Sequence, residues 1–252
     1  NTTSTVYRAR QLSISRDVAL KIIRLRGRQV NNQQFKRFFE KEVAVLARLQ
    51  HEHIVPIYAY GVKNEYAYVA MRFINGHSLE SLLDSTPLAL DRALPIIEQV
   101  LTALLIAYNQ GILHLNLKPS NILLDEAGNI SLCDFALMPT IMQWGQHPLV
   151  EHEQIEAKNG NSRTSFHLNY MSPEQLKGEL PQASTDVYSV GVLFYQLLTG
   201  QLPFESDNLF ALLFMHLERT PPLPQEINPD VPSVIEGIIL KALEKSPAHR
   251  YA

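Results

Sequence analysis

Cysteine is almost absent: Cys133 is the only one among 252 residues. No internal disulfide can form, so a reducing compartment fits. There is no basic excess either. Lys and Arg number 22 against 25 Asp and Glu, for a formal net charge of −3. That balance lacks the electrostatic footprint of a nucleic-acid binder, and no nucleic-acid partner is expected. Nor is there a clean apolar run of the ~20 residues that a membrane span needs. The stretch from Leu88 to Tyr108 carries Asp91, Arg92 and Glu98, with Pro95 inside. The stretch from Val187 to Leu198 is about half the required length. Both read as core helices. The first residues, Asn1 to Val6, are polar and lack the apolar region of a signal peptide. Internal repeats and low-complexity tracts are also missing. The chain starts and stops abruptly, as a domain cut from something longer would.

What is present is an ordinary soluble globular composition, 46% hydrophobic and 19% charged. The length lies at the upper edge for one core and suits two lobes that share a cleft. Thr5 to Arg10 and Asp17 to Ile23 read as short strands separated by a polar turn. Phe35 to Leu49 reads as a helix, because Phe35, Phe38, Phe39, Val43, Leu46 and Leu49 recur at spacings of three and four. Ile54 to Tyr60 and Glu65 to Phe73 read as strands again, and Asn75-Gly76 is a turn signal. Beyond it the chain turns helical, over Leu79 to Leu83, Asp91 to Asn109, Thr185 to Leu198, Asn208 to Glu218 and Val234 to Glu244. A long polar stretch, roughly 139–168, interrupts them with little periodicity. Compact domains rarely hold so long a loop unless it is functional or disordered.

Five motifs lie along this frame. His114 to Leu124 reads HLNLKPSNILL and resembles the catalytic loop of protein kinases, H-R-D-x-K-x-x-N. Asp134-Phe135-Ala136 resembles D-F-G, and Ser172-Pro173-Glu174 resembles A-P-E. Asp186 to Gly191 resembles the D-x-W/Y-S-x-G segment that opens a buried helix. Upstream, Val18-Ala19-Leu20-Lys21 resembles the V-A-I-K strand. Order and spacing agree for all five, and together they cover essentially the whole chain. Their wording is most similar to bacterial serine/threonine kinases of the eukaryotic-like kind. The resemblance implies an α+β, bilobal protein kinase fold. A small antiparallel-sheet N-lobe with one helix would span 1–74, lacking the start of its glycine-rich loop. A large helical C-lobe would span 75–252, lacking the end of its last helix.

The resemblance also implies roles. Lys21 would reach the α- and β-phosphates of ATP, oriented by Glu42 from the helix. Asn121 and Asp134 would hold Mg²⁺, supplying the hard oxygen ligands this ion requires. Lys118 would contact the γ-phosphate. Met71 sits at the gatekeeper position behind the adenine, and Ala19 and Leu123 match the residues that sandwich the ring. Plain core packing accounts for these three equally well. His114 and Phe135 look like members of the hydrophobic column joining the lobes. Glu174 and Arg250 match a buried ion pair, and Asp186 would hold the catalytic-loop backbone.

The departures bear on activity. Asn116 stands where the catalytic aspartate belongs, and an amide cannot accept a proton as a carboxylate can. Losing a positioned general base costs ~10²–10⁴-fold. Asn1 and Ser4 occupy the second and third glycine positions of the phosphate loop, where a side chain obstructs close backbone approach. Ala136 replaces the D-F-G glycine and stiffens that hinge. Leu115 replaces the arginine that pairs with a phosphorylated activation loop. Phe166 to Tyr170 replaces the G-T-P-x-Y stretch, with His167 at its threonine. These changes point to a pseudokinase that binds ATP and Mg²⁺ weakly and signals through a protein partner. The alternative is an active serine/threonine kinase in which Asn116 merely orients the substrate hydroxyl. The resemblance further implies a cytoplasmic domain, often tethered to the membrane from outside this segment. His51-Glu52-His53 has poor spacing for a metal pair, and His147 with Glu151-His152-Glu153 reads as solvated loop, so no metal site is expected at either.

Overall fold

A computed structural model describes residues 4–25, 32–83, 86–136 and 168–251. Strands β1 (Ser4–Gln11) and β2 (Arg16–Arg24) form a hairpin. With β3 (Ile57–Lys63) and β4 (Tyr66–Arg72) they make a four-stranded antiparallel sheet of order β1-β2-β4-β3. Helix α1 (Gln33–Leu46) covers one face of it. Asn32 caps the helix by accepting from the backbone N–H groups of Gln34 and Phe35 at 2.8 and 3.1 Å. The apolar stripe read from the sequence turns inward: Phe35, Phe39 and Val43 are buried with Ile23 and Val69. Each fully buried Phe contributes about 2–3 kcal/mol.

Two boundaries differ from expectation, both for local reasons. The helix stops at Leu46, and Leu49 reaches the lower core from the turn beyond. The strand expected from Ile54 begins instead at Ile57, just after Pro56. Pro56 has no N–H to give the ladder. Ile54 and Val55 pair with Leu132 of the lower lobe, whose carbonyl accepts from Val55 N–H at 2.9 Å.

The lower lobe opens with a three-stranded antiparallel sheet, β5 (Gly76–Ser78), β6 (Ile122–Asp125) and β7 (Ile130–Leu132). Gly76 has to be glycine, since a Cβ there would lie 1.9 Å from the Leu124 carbonyl oxygen. Helix α2 (Leu90–Tyr108) packs on β7 and on α4 (Ala183–Thr199). α4 is buried nearly all round, as a central core helix must be. The short α3 (Pro173–Lys177) precedes it, and α5 (Leu209–Glu218), α6 (Pro224–Ile227) and α7 (Ser233–Ala242) follow. Gly191 lets α7 approach α4, for a Cβ there would sit 2.9 Å from that of Ala242. Among the described residues no helix is long and apolar enough to cross a membrane.

This is the expected α+β arrangement, an antiparallel sheet with one helix above a helical lobe. Residues 137–167 lie outside the described part, and with them Phe166, His167 and nearly all of the long polar stretch.

Candidate functional site

The segment from His114 to Asn121 is fixed from below. The buried Asp186 carboxylate accepts from the backbone N–H groups of His114 at 2.7 Å and Leu115 at 2.8 Å. Burial pushes its pKa up to about 6, although the two N–H donors pull it down. The Leu115 carbonyl accepts from the Gln175 side-chain amide at 3.0 Å. These bonds hold Leu115 at φ 57, a left-handed conformation that branched residues rarely adopt. Sequence reasoning does not single out Gln175. Its signal was available: Ser172, Pro173 and Gln175 sit at the cap, first and third positions of a capping box, and that box forms. The box also sets the start of α3, a five-residue helix.

The expected contacts below the cleft are present. The His114 and Phe135 rings lie 4.3 Å apart between centroids. Arg250 and Glu174 form a buried bidentate pair at 2.7 and 2.9 Å. Thr185 donates to the same carboxylate at 2.8 Å, and Arg250 donates also to the carbonyls of Ser184, Glu244 and Lys245.

Within this frame stand the candidate residues. Asn116 is buried, and its side-chain amide makes no hydrogen bond among the described residues. Its carbonyl accepts from the Asn121 side-chain amide at 2.7 Å. That bond fixes the Asn121 amide group and leaves its Oδ1 without a donor among the described residues. Asp134 and Ala136 have φ 63 and φ 42, and Ala136 N–H donates to the His114 carbonyl at 2.7 Å. Lys21, almost fully buried on β2, donates to Asp134 at 2.5 Å. Burial holds the Lys118 amine below its ordinary pKa; Asp134 opposes the shift and Lys21 adds to it. Lys21, Lys118 and Asp134 are therefore one electrostatic cluster. Burial likewise pushes the Cys133 thiol up, so the chain's one cysteine is not poised as a nucleophile.

Glu42 does not join that cluster. The expected Lys21–Glu42 pair is not formed, because Lys21 is engaged by Asp134 across the cleft. Glu42 instead lines a separate groove with Val45 and Leu46 of α1 and with Leu113, Leu115 and Ala136 of the lower lobe. Ala19 lies opposite Met71 in the β2–β4 register. Both belong to an apolar cluster that Leu123 of β6 joins from below. Behind Met71 a small cavity of about 30 Å³ reaches Cys133, Asp134 and Phe135.

These residues suit a nucleotide. Ala19, Met71 and Leu123 offer apolar surface from both lobes, and Lys21 and Lys118 offer cations. Asp134 and Asn121 Oδ1 offer oxygen donors of the hard type that Mg²⁺ takes, an ion that also retains several waters.

The model of the protein kinase domain family matches residues 2–252. The serine/threonine-protein kinase PrkC of Bacillus subtilis is 33% identical over 256 residues, covering 98% of this chain and 36% of that protein. PknB of Mycolicibacterium smegmatis, also a serine/threonine-protein kinase, is 32% identical over 253 residues, covering 98% of this chain and 39% of the relative. The chain thus spans little more than a third of these relatives' length. Among solved structures, the Mycobacterium tuberculosis PknI kinase domain superposes with a TM-score of 0.72 at 23% identity, covering 100% of this chain and 86% of the other. Rad53 in complex with AMP-PNP gives 0.74 at 23% identity, covering 98% of this chain and 58% of the other. Those two likenesses concern the fold alone. The chain belongs to the protein kinase domain family, and bacterial serine/threonine kinases are among its relatives.

Proposed function

We propose that this kinase domain holds a nucleotide weakly and transfers its γ-phosphate poorly or not at all, serving as a pseudokinase that a partner protein reads. The observation that carries the reading is Asn116 in a fully anchored loop. Asp186, Gln175 and the His114–Phe135 contact keep the backbone in place. The group that would take the hydroxyl proton is missing from that position. An amide at Asn116 can accept a hydrogen bond from a hydroxyl and orient it, but it takes no proton at neutral pH. Phosphoryl transfer depends chiefly on positioning and charge neutralisation. Lys21, Lys118, Asn121 and Asp134 retain the chemistry for holding phosphate and cation. Bound Mg²⁺ would neutralise charge on the phosphate oxygens. Ser4, at the third glycine position of the phosphate loop, and Ala136 weaken the grip.

The test is incorporation of labelled γ-phosphate, into the chain itself and into a generic basic protein, with Mg²⁺ and with Mn²⁺. A Lys21→Met variant supplies the blank. Incorporation equal to the blank is expected. Label well above it would establish a working serine/threonine kinase in which Asn116 only orients the hydroxyl. In parallel, millimolar ATP should raise the melting temperature, with or without the metal. The absence of any rise would remove the nucleotide and leave a pure scaffold.

A further inference from the structure

The groove beside Glu42 is separate from the Lys21–Asp134 cluster and has a chemistry of its own. It has a volume of about 240 Å³ and lies between α1 and the segment from Gly111 to Leu115. Its walls are aliphatic: Val45 and Leu46 above, Leu113 and Leu115 below, closed by Ala136. The polar side chain among them is the Glu42 carboxylate. Among the described residues Glu42 makes no ion pair, and Lys21 is held by Asp134 at 2.5 Å with its side chain 6% exposed. Val45 is 40% exposed, so the groove opens to solvent.

The floor is preorganised. Leu115 and Ala136 both sit at positive φ. Leu115 is fixed by bonds to Asp186 and Gln175, and Ala136 by its bond to the His114 carbonyl. Backbone held in so sparsely populated a region persists only where its surroundings over-determine it. Leucine at 115 matters twice. It makes the floor apolar, and it removes from this position a cation that could have met Glu42 from within the chain.

An apolar slot with one unpaired carboxylate at its wall selects a cation carried on an apolar stem. Arginine has that form: an aliphatic stem that packs on apolar surface and a planar guanidinium that binds a carboxylate bidentately. The groove's volume suits one such side chain. We infer that this groove is a docking site for an arginine side chain, flanked by aliphatic residues, on a partner protein, with Glu42 as its counter-ion. This inference names the contact through which the partner postulated above would engage the domain, and it rests on that reading.

The probe is the tripeptide acetyl-Leu-Arg-Leu-amide, compared with its citrulline counterpart, which keeps the shape and loses the charge. Amide chemical shifts of the isotope-labelled domain are followed without nucleotide. The arginine peptide should produce saturable shifts at Glu42, Val45, Leu113 and Ala136 at about millimolar concentration. The citrulline peptide should bind about fivefold to tenfold more weakly. Glu42→Gln should show the same loss with an unchanged melting temperature. Val45→Arg, three residues along the helix from Glu42, supplies an internal cation and should abolish the shifts. Non-saturating shifts, or equal binding of both peptides, would overturn the inference. So would shifts that persist in Val45→Arg. None of these readings involves phosphate transfer or ATP. A failure here therefore leaves the impaired-transfer reading standing, and label above the Lys21→Met blank would remove that reading while leaving the groove intact.

Discussion

Asn116 sits in a loop whose backbone anchors are in place, so on the proposed reading the deficit it brings is chemical rather than geometric. Restoring the carboxylate therefore isolates one cause. On the same reading Ser4 and Ala136 still weaken the hold on the phosphates, so Asn116→Asp should leave label incorporation at the level of the Lys21→Met blank. A rise of ~10²-fold or more would instead make the general base the single missing part. Ala136 shows what a residue name conveys and what it conceals. The sequence identified the lost glycine and the stiffer hinge. The structure adds that the position keeps a left-handed backbone, φ 42, at a cost to alanine of about 1–2 kcal/mol. Lys21 is the opposite case. By resemblance Glu42 was legible as its partner, and Asp134 only as a ligand of the cation. Which of them takes the lysine depends on where α1 rests against the lower lobe, and neither residue encodes that.

Helix α3 is only five residues long, too short to persist alone, and its place is set by what it is tied to. Its Glu174 joins Arg250 near the far end of the chain, with Thr185 of α4 sharing the carboxylate. Burial pushes this carboxyl up, but Arg250, the backbone and Thr185 more than offset that and leave its pKa lowered. Glu174→Gln would strand the buried guanidinium. Urea denaturation should register a loss of about 3 kcal/mol or more, and a loss under about 1 kcal/mol would show that the three carbonyls around Arg250 suffice. Elements of this size mark where sequence reading ran out. Helix α1 carries a repeat of three and four, and α1, α2, α4, α5 and α7, each of ten or more residues, end within a few residues of where the sequence places them. β5, β6 and β7 have three or four residues each, too few for alternation to appear. They exist because Gly76 admits Leu124 closely and because Asp125 and Gly128 close the β6–β7 turn.

The molecule as a whole carries an acid sensitivity in its lower core. Burial lowers the pKa of His114 from 6.5 to about 4 and that of His216 to about 3. His216 bonds the Tyr188 hydroxyl at 2.9 Å, packs on Phe204, and has Lys245 on its own backbone carbonyl at 2.8 Å. In the unfolded chain these histidines take up protons below about pH 6.5, and in the folded one they do not, so stability falls as pH drops through that window. Each contributes about 1.4 kcal/mol per pH unit. Asp186, raised to about 6, works the other way, holding its proton when folded and gaining stability as pH falls. The two histidines outweigh the one carboxyl, and the balance is a net loss on the order of 1 kcal/mol per unit between about pH 6 and 5. Urea unfolding at pH 7, 6 and 5 should show that decline, and His216→Gln should flatten it. Stability that stays level or rises toward pH 5 in the unaltered chain would contradict the assignment. The same Asp186 has a further consequence, in terms of descent. The carboxylate that shapes the catalytic loop also joins α4 to the core, so folding and loop geometry are one trait under selection. A lineage that lost the chemistry would still inherit the outline of the site, merely by continuing to fold.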